Sequence, residues 1–219
     1  MDTPRPYKFY PKPLSISPIT AVTDHPALDA QLRASDFMLA RPAGAELLTK
    51  YSTQKGLVFG IEEDDDIVLL LQYAATYGCT WLGYNAEGLA HAELLARLKR
   101  VYTEFRDESP LDFEFVPTYY NLQKHYLDYL PYCERVGVQL QKAAIADVPA
   151  LAAEVVAMLK AAKSTVKVDI QLGALPPNTK EQLLAAMRGI ATLNISGVIL
   201  YCGNASNYPL AFSVLDAVR

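Results

Sequence analysis

Short β-rich runs alternate with helical runs along nearly the whole chain, and so regular an alternation leaves few folds open. The predicted strands are 14–17, 37–41, 57–61, 80–85, 113–118, 136–141, 166–172 and 198–201. Helical patterns fill 27–33, 45–51, 67–77, 93–105, 149–162, 180–193 and 209–218, with a weaker one near 123–130. Strands separated by helices pair in parallel, because each crossover returns the chain to the same end of the sheet. Successive strand starts lie about 20–33 residues apart, the size of one strand–helix unit.

Eight such units predict a single α/β domain over residues 14–219, a (β/α)₈ TIM-type barrel. An open, doubly wound sheet is the rival arrangement. The proline-rich residues 1–13 read as an extended lead-in. Helix ends carry their own signals. Asp64, Asp65 and Asp66 precede Ile67, where negative charge favours the helix dipole. Asp147 precedes Pro149, and Asn178 and Thr179 precede Glu181. Gly56 and Gly78 read as C-terminal caps.

With 51% hydrophobic and 20% charged residues, the 219-residue chain can bury a sizeable core. A net charge of −4 without basic runs argues against a nucleic-acid surface. No apolar run is long enough to span a membrane, and the polar N-terminus lacks the apolar core of a signal peptide. A cytoplasmic protein or a mature secreted domain fits both observations. Cys79, Cys133 and Cys202 are widely spaced and form no metal or redox motif, which leans towards a reducing compartment. No cofactor is implied, and nothing in the chain sets its oligomeric state.

Strand residues alternate sides. In the sixth strand Val136, Val138 and Leu140 alternate with Gly137, Gln139 and Gln141. In the seventh, Val166, Val168, Ile170 and Leu172 alternate with Lys167, Asp169 and Gln171. Helices need an apolar partner, so the polar side should face the barrel axis. Glu62, Asn85, Glu87, Glu114, Tyr120, Gln139, Gln141, Asp169, Gln171 and Tyr201 then converge on the lumen or its upper rim, and Arg41 could join them. Lys167, Asp169 and Glu114 could equally form a buried ion-pair layer near the floor.

The stretch Trp81-Leu82-Gly83-Tyr84-Asn85-Ala86-Glu87 ends the fourth strand in a carboxylate, at the barrel end where ligands bind. A carboxylic acid there could protonate a leaving oxygen. Gly83, Asn85 and Glu87 resemble the catalytic strand of family 18 glycoside hydrolases, the chitinase-like barrels, which ends in Asp-x-Glu. The resemblance implies Glu87 as the acid. Gly83 and Asn85 stand where that family carries acids, and the family includes non-catalytic, lectin-like members. The strands 83–87, 136–141, 168–173 and 197–201, with Asn204 after the last, are also similar to a pattern in uncharacterised bacterial glycosidase-like barrels.

Glycoside hydrolysis wants a second carboxylate, about 5–5.5 Å away for retention or about 6.5–9.5 Å for inversion. Gln171 occupies the seventh-strand position where related barrels place a nucleophile, which leaves Glu62 or Glu63. Tyr119, Tyr120 and Asn121 offer an aromatic wall for a sugar ring. His25, His91 and His125 lie far apart and show no metal spacing, so no metal site is expected.

Three functions remain in view. One is a glycosidase-like barrel that binds or hydrolyses a carbohydrate or other small polar ligand. Its catalytic residue would be Glu87, with Asn85, Glu62, Tyr120, Gln139, Gln141, Gln171, Tyr201 and Asn204 as ligand contacts. The second is a non-catalytic barrel binding a glycan or a protein partner. The third is an enzyme acting on a phosphorylated metabolite through the Gly173 and Gly203 loops.

Overall fold

The computed structural model describes residues 14–17, 37–40, 42–50 and 54–218. The expected helix at 27–33, Arg41, His25 and the lead-in fall outside them. Eight strands are present among the described residues: β1 Leu14–Ser17, β2 Phe37–Ala40, β3 Gln54–Gly60, β4 Trp81–Asn85, β5 Asp112–Phe115, β6 Arg135–Gln139, β7 Lys167–Gly173 and β8 Gly197–Tyr201. Every ladder is parallel, and the order is β1-β8-β7-β6-β5-β4-β3-β2. The strands at the two ends of this order, β1 and β2, lie in contact with each other.

Among the described residues, five α-helices return the chain between strands, α1 Ile67–Tyr77, α2 His91–Glu108, α3 Tyr119–Tyr129, α4 Val148–Ala161 and α5 Lys180–Ile190, and a sixth, α6 Tyr208–Val218, follows β8. Between β2 and β3 the chain runs instead through a 3₁₀ helix, Pro42–Lys50. The weakest helical pattern, near 123–130, falls within α3, which is kinked at His125. Thr118 caps it by accepting from the Asn121 amide, and its buried face carries Tyr119, Leu122 and Tyr129. Tyrosines make up that face, which blurs the apolar periodicity.

Several caps are as expected. Asp66 accepts from the Leu69 amide, Thr179 and Gln182 form a reciprocal capping box, and Gly78 adopts φ 67° after α1. Two expectations are corrected. Asp147 makes no side-chain cap to α4, whose start is set by Pro149 instead. Gly56 does not end a helix. It lies inside β3 against the Trp81 indole, in a space that any β-carbon would overlap.

The alternation along the strands separates two interiors. Leu57, Phe59, Leu82, Phe113, Phe115, Val136, Val138, Val168, Ile170 and Leu200 pack outward with Leu98, Phe105, Leu122, Val155, Met187 and Val214 of the helices. Trp81, Ile199 and Val58 form a separate cluster on the other face of the sheet. That inner face is where the polar side chains collect.

Candidate functional site

At the N-terminal end of the inner face, Arg135 donates to Asp169 Oδ2 at 2.6 Å and lies over the Trp81 ring, 4.8 Å from its centroid. The Trp81 indole N–H donates to Glu114 Oε2 at 3.1 Å. Glu114 and Asp169 are both almost completely buried. Room for Glu114 comes from glycines on the neighbouring strands. A β-carbon on Gly137 would stand 2.5 Å from Glu114 Oε1, and one on Gly83 would stand 3.1 Å from Oε2. Gly83 is therefore the space that Glu114 occupies, and an acid in its place would collide with one.

A buried layer with Glu114 and Asp169 is thus present, but its cation is Arg135. Lys167 is half-exposed and pairs with Asp112 at 2.5 Å. The predicted sixth strand began at Val136, one residue too late to include the arginine. One guanidinium faces two carboxyls, so one negative charge is in excess. Holding an unneutralised ion in the interior costs several kcal/mol, whereas protonating an ordinary carboxyl at pH 7 costs about 3 kcal/mol. Protonation wins. Burial first, and repulsion from Asp169 second, push the Glu114 carboxyl up to about 8. Burial also raises Asp169, against the opposing pull of Arg135.

Nearer the C-terminal ends of the strands, a chain of side-chain amides spans the inner face. Gln139 Nε2 donates to Asn85 Oδ1 at 3.2 Å and to the Val116 carbonyl at 3.0 Å, and Gln141 Nε2 donates to Gln139 Oε1 at 2.7 Å. Gln141 Oε1 is buried and makes no hydrogen bond among the described residues. Gln171 is buried beside them, its amide nitrogen 3.4 Å from where a Gly137 β-carbon would stand.

A cavity of about 150 Å³ opens at this level, beyond β5 and β6. Gln139, Gln141, Lys142, Tyr119, Tyr120 and Leu151 line it. Tyr119 is held by Glu154, to which its hydroxyl donates, and by Gln123 Nε2 at 3.1 Å. Tyr120 packs edge-on against Tyr119 and is 71% exposed. Glu87 follows β4 and is exposed, with Lys142 Nζ 3.8 Å from its carboxylate.

The other expected site residues lie apart from this cavity's lining. Glu62 is exposed in the turn after β3, its carboxylate folded against Gly60, and Glu63 accepts from the Gly60 amide at 2.6 Å. Tyr201 is half-buried, with its ring against Gly203. Asn204 accepts from the backbone and hydroxyl of Ser206, so its side chain serves the loop after β8. Gly173 abuts the Gln141 carbonyl, where a β-carbon would stand 2.6 Å away.

Sequence reasoning missed Asp64. Within the acidic run it reads as helix-start charge, yet it is wholly buried. It accepts from Tyr84 Oη at 2.6 Å and from Arg100 at 2.7 Å, with Arg97 at 3.3 Å. It also missed that folding gathers His91, His125 and Asp128 into one cluster with metal-ligand spacing. The three cysteines are buried and unpaired, and desolvation raises Cys79 to about 11 and Cys202 to about 12.

No protein-family model matches the chain. No curated protein matches it either. Solved structures do. The tryptophan synthase A-subunit of Pyrococcus furiosus is similar over 96% of this chain and 97% of its own, with a TM-score of 0.63 at 12% identity. The Bacillus cereus spore cortex-lytic enzyme SleL is similar over 94% of this chain and 74% of its own, with a TM-score of 0.66 at 10% identity. The catalytic domain of a family GH18 chitinase from the fern Peteris ryukyuensis is similar over 83% and 88%, with a TM-score of 0.55 at 8% identity. At such identities the likeness is one of fold, and the chain has a TIM-barrel-like α/β architecture shared by glycosidases and by enzymes of other chemistry.

Proposed function

We propose that this chain is a glycosidase-like barrel that binds a carbohydrate at the cavity beyond β5 and β6. In this reading the sheet is a complete ring, and the adjacency of β1 and β2 supports that closure. The observation that carries the proposal is the pairing of an exposed tyrosine wall with a fixed row of amides. Tyr120 offers a free aromatic face, and Tyr119 is locked beneath it by Glu154 and Gln123. An aromatic face suits the apolar side of a sugar ring. The Asn85–Gln139–Gln141 chain supplies donors and acceptors whose orientations are already set, so little order is lost on binding.

Glu87 is the ligand contact at the edge of this cavity, through its partner Lys142. Its carboxylate oxygens, facing the Lys142 ammonium group, are placed to accept hydrogen bonds from sugar hydroxyls. Binding is therefore the primary activity, and hydrolysis is the secondary reading, which needs a second carboxylate beside Glu87. Titration with chitin-type and other oligosaccharides, followed by ligand-observed NMR, tests this. Tyr120→Ala and Gln141→Leu should each weaken binding about tenfold or more, and Glu87→Gln should weaken it less. Equal binding by all three variants, or none by the parent chain, would overturn the reading. Turnover abolished by Glu87→Gln would move it from binding to catalysis.

A further inference from the structure

We propose that His91, His125 and Asp128 form a binding site for a zinc-class divalent metal ion, set between α2 and α3. His91 opens α2, while His125 and Asp128 lie three residues apart on α3, so the site bridges two helices. One donor atom from each residue lies within 4.8 Å of the other two. His91 Nε2 is 3.3 Å from Asp128 Oδ2, and His125 Nδ1 is 3.9 Å from the same oxygen.

These separations are close to what a metal requires. Donors held about 2.0–2.2 Å from a tetrahedral zinc ion stand roughly 3.3–3.5 Å from one another. The His91–Asp128 edge already has that length. The His125–Asp128 edge must close by about half an ångström. The two imidazoles are stacked, with centroids 3.6 Å apart and planes 10° from parallel. Both lone pairs meet at one point only after the rings tip apart. Side-chain exposures of 32% and 30% for the two histidines leave room for that movement without disturbing the core.

Two features around the cluster favour a ligand. The buried Tyr129 hydroxyl lies 2.9 Å from His91 Nδ1. When Nδ1 carries the hydrogen and donates it to Tyr129, the Nε2 lone pair points at the Asp128 carboxylate. Two acceptors facing each other are held together by a proton or a metal ion between them. Fixing a ligating imidazole through its second nitrogen is how proteins orient such rings. In addition, the α3 backbone leaves helical geometry at His125 itself, with φ −134° and ψ 19°. The donor set of two imidazoles and one carboxylate suits zinc and its neighbours in the first transition row, and disfavours magnesium and calcium. Three protein ligands leave a fourth position for water.

The test is a calorimetric titration of the full chain, stripped of metal, with zinc chloride, repeated with cobalt(II) to read coordination from its visible absorption. One equivalent should bind, with the intense bands of tetrahedral cobalt, and the thermal midpoint should rise. Asp128→Asn, a half-exposed and nearly isosteric change, should weaken binding at least tenfold and abolish the thermal shift. His125→Ala should do the same, and Tyr129→Phe should weaken binding about tenfold. No binding at millimolar zinc overturns the proposal. Binding that survives Asp128→Asn and His125→Ala also overturns it, and places the metal on other groups such as the cysteines.

Discussion

Arg135 and Asp169 are joined by a 2.6 Å charge-assisted hydrogen bond on the inner face of the sheet, on strands that are neighbours in it. Because Asp169 uses this cation at contact distance, Glu114 is left to balance its own charge by holding a proton. Its value of about 8, against an ordinary 4.5, makes the fold sensitive to alkali. Between those values the folded chain keeps a proton that the unfolded chain has released, so stability falls as pH rises through that window. Glu114→Gln keeps the shape and removes the titration. Its stability should match the parent near pH 5 and exceed it by roughly 2–4 kcal/mol near pH 9. Urea unfolding at several pH values measures this, and parallel curves for the two proteins would refute it.

Gly56 and Trp81 provide a steric prediction. The indole occupies the place of a Gly56 β-carbon and is held on its other sides by Glu114 and Arg135. Gly56→Ala must shift either the ring or β3. Overpacking of this kind costs about 1–3 kcal/mol. Trp81 is the chain's one tryptophan, so its fluorescence reports the shift directly. A variant with unchanged emission and unchanged stability would contradict the placement.

Asp64 ties the loop after β3 to β4 and to α2 through Tyr84 and Arg100. Asp64→Ala leaves the Tyr84 hydroxyl buried without its acceptor, a loss of about 1–3 kcal/mol. Asp65→Ala, one residue on and exposed, should cost less than about 0.5 kcal/mol. Thermal unfolding of the pair checks the contrast, and equal losses would show that Asp64 is no more than surface charge.

Gln139 joins three groups, and its replacement separates them. Gln139→Leu leaves the Val116 carbonyl and Asn85 without their donor. The expected result is a stability loss of about 1–2 kcal/mol together with weaker oligosaccharide binding. Stability loss with binding intact would confine Gln139 to a structural role.

Much of this architecture was legible in the chain because two periods dominate it. Period two in 136–141 and 166–172 separates the inner face from the helix face, and the buried sets of β6 and β7 follow it. Flanking caps at Asp66, Gly78 and Thr179 mark helix ends locally. What stayed hidden depended on contacts between distant segments. Arg135 lies one residue before the run 136–141, so the alternation does not single it out. Asp64 looks like its neighbours Asp65 and Asp66 until Tyr84 and Arg100 are brought to it. His91 and His125 share no motif, and only the packing of α2 beside α3 stacks them. In the candidate site, the amides of Gln139 and Gln141 were readable from strand alternation. The cavity beside them depends on α3 and α4, whose relative position no local pattern encodes.

The charged inner layer also bears on how the chain finds its alignment. An apolar barrel interior tolerates a strand that slides by two residues, since one bulky side chain replaces another on the same face. Here Glu114 fits only between Gly83 and Gly137, and Arg135 reaches Asp169 only when β6 and β7 pair as they do. A two-residue slip of β5 would drive the Glu114 carboxyl into neighbouring strands, and a slip of β6 against β7 would take the guanidinium away from Asp169. Misaligned sheets would therefore be penalised, and the layer specifies the register of the strands that carry it.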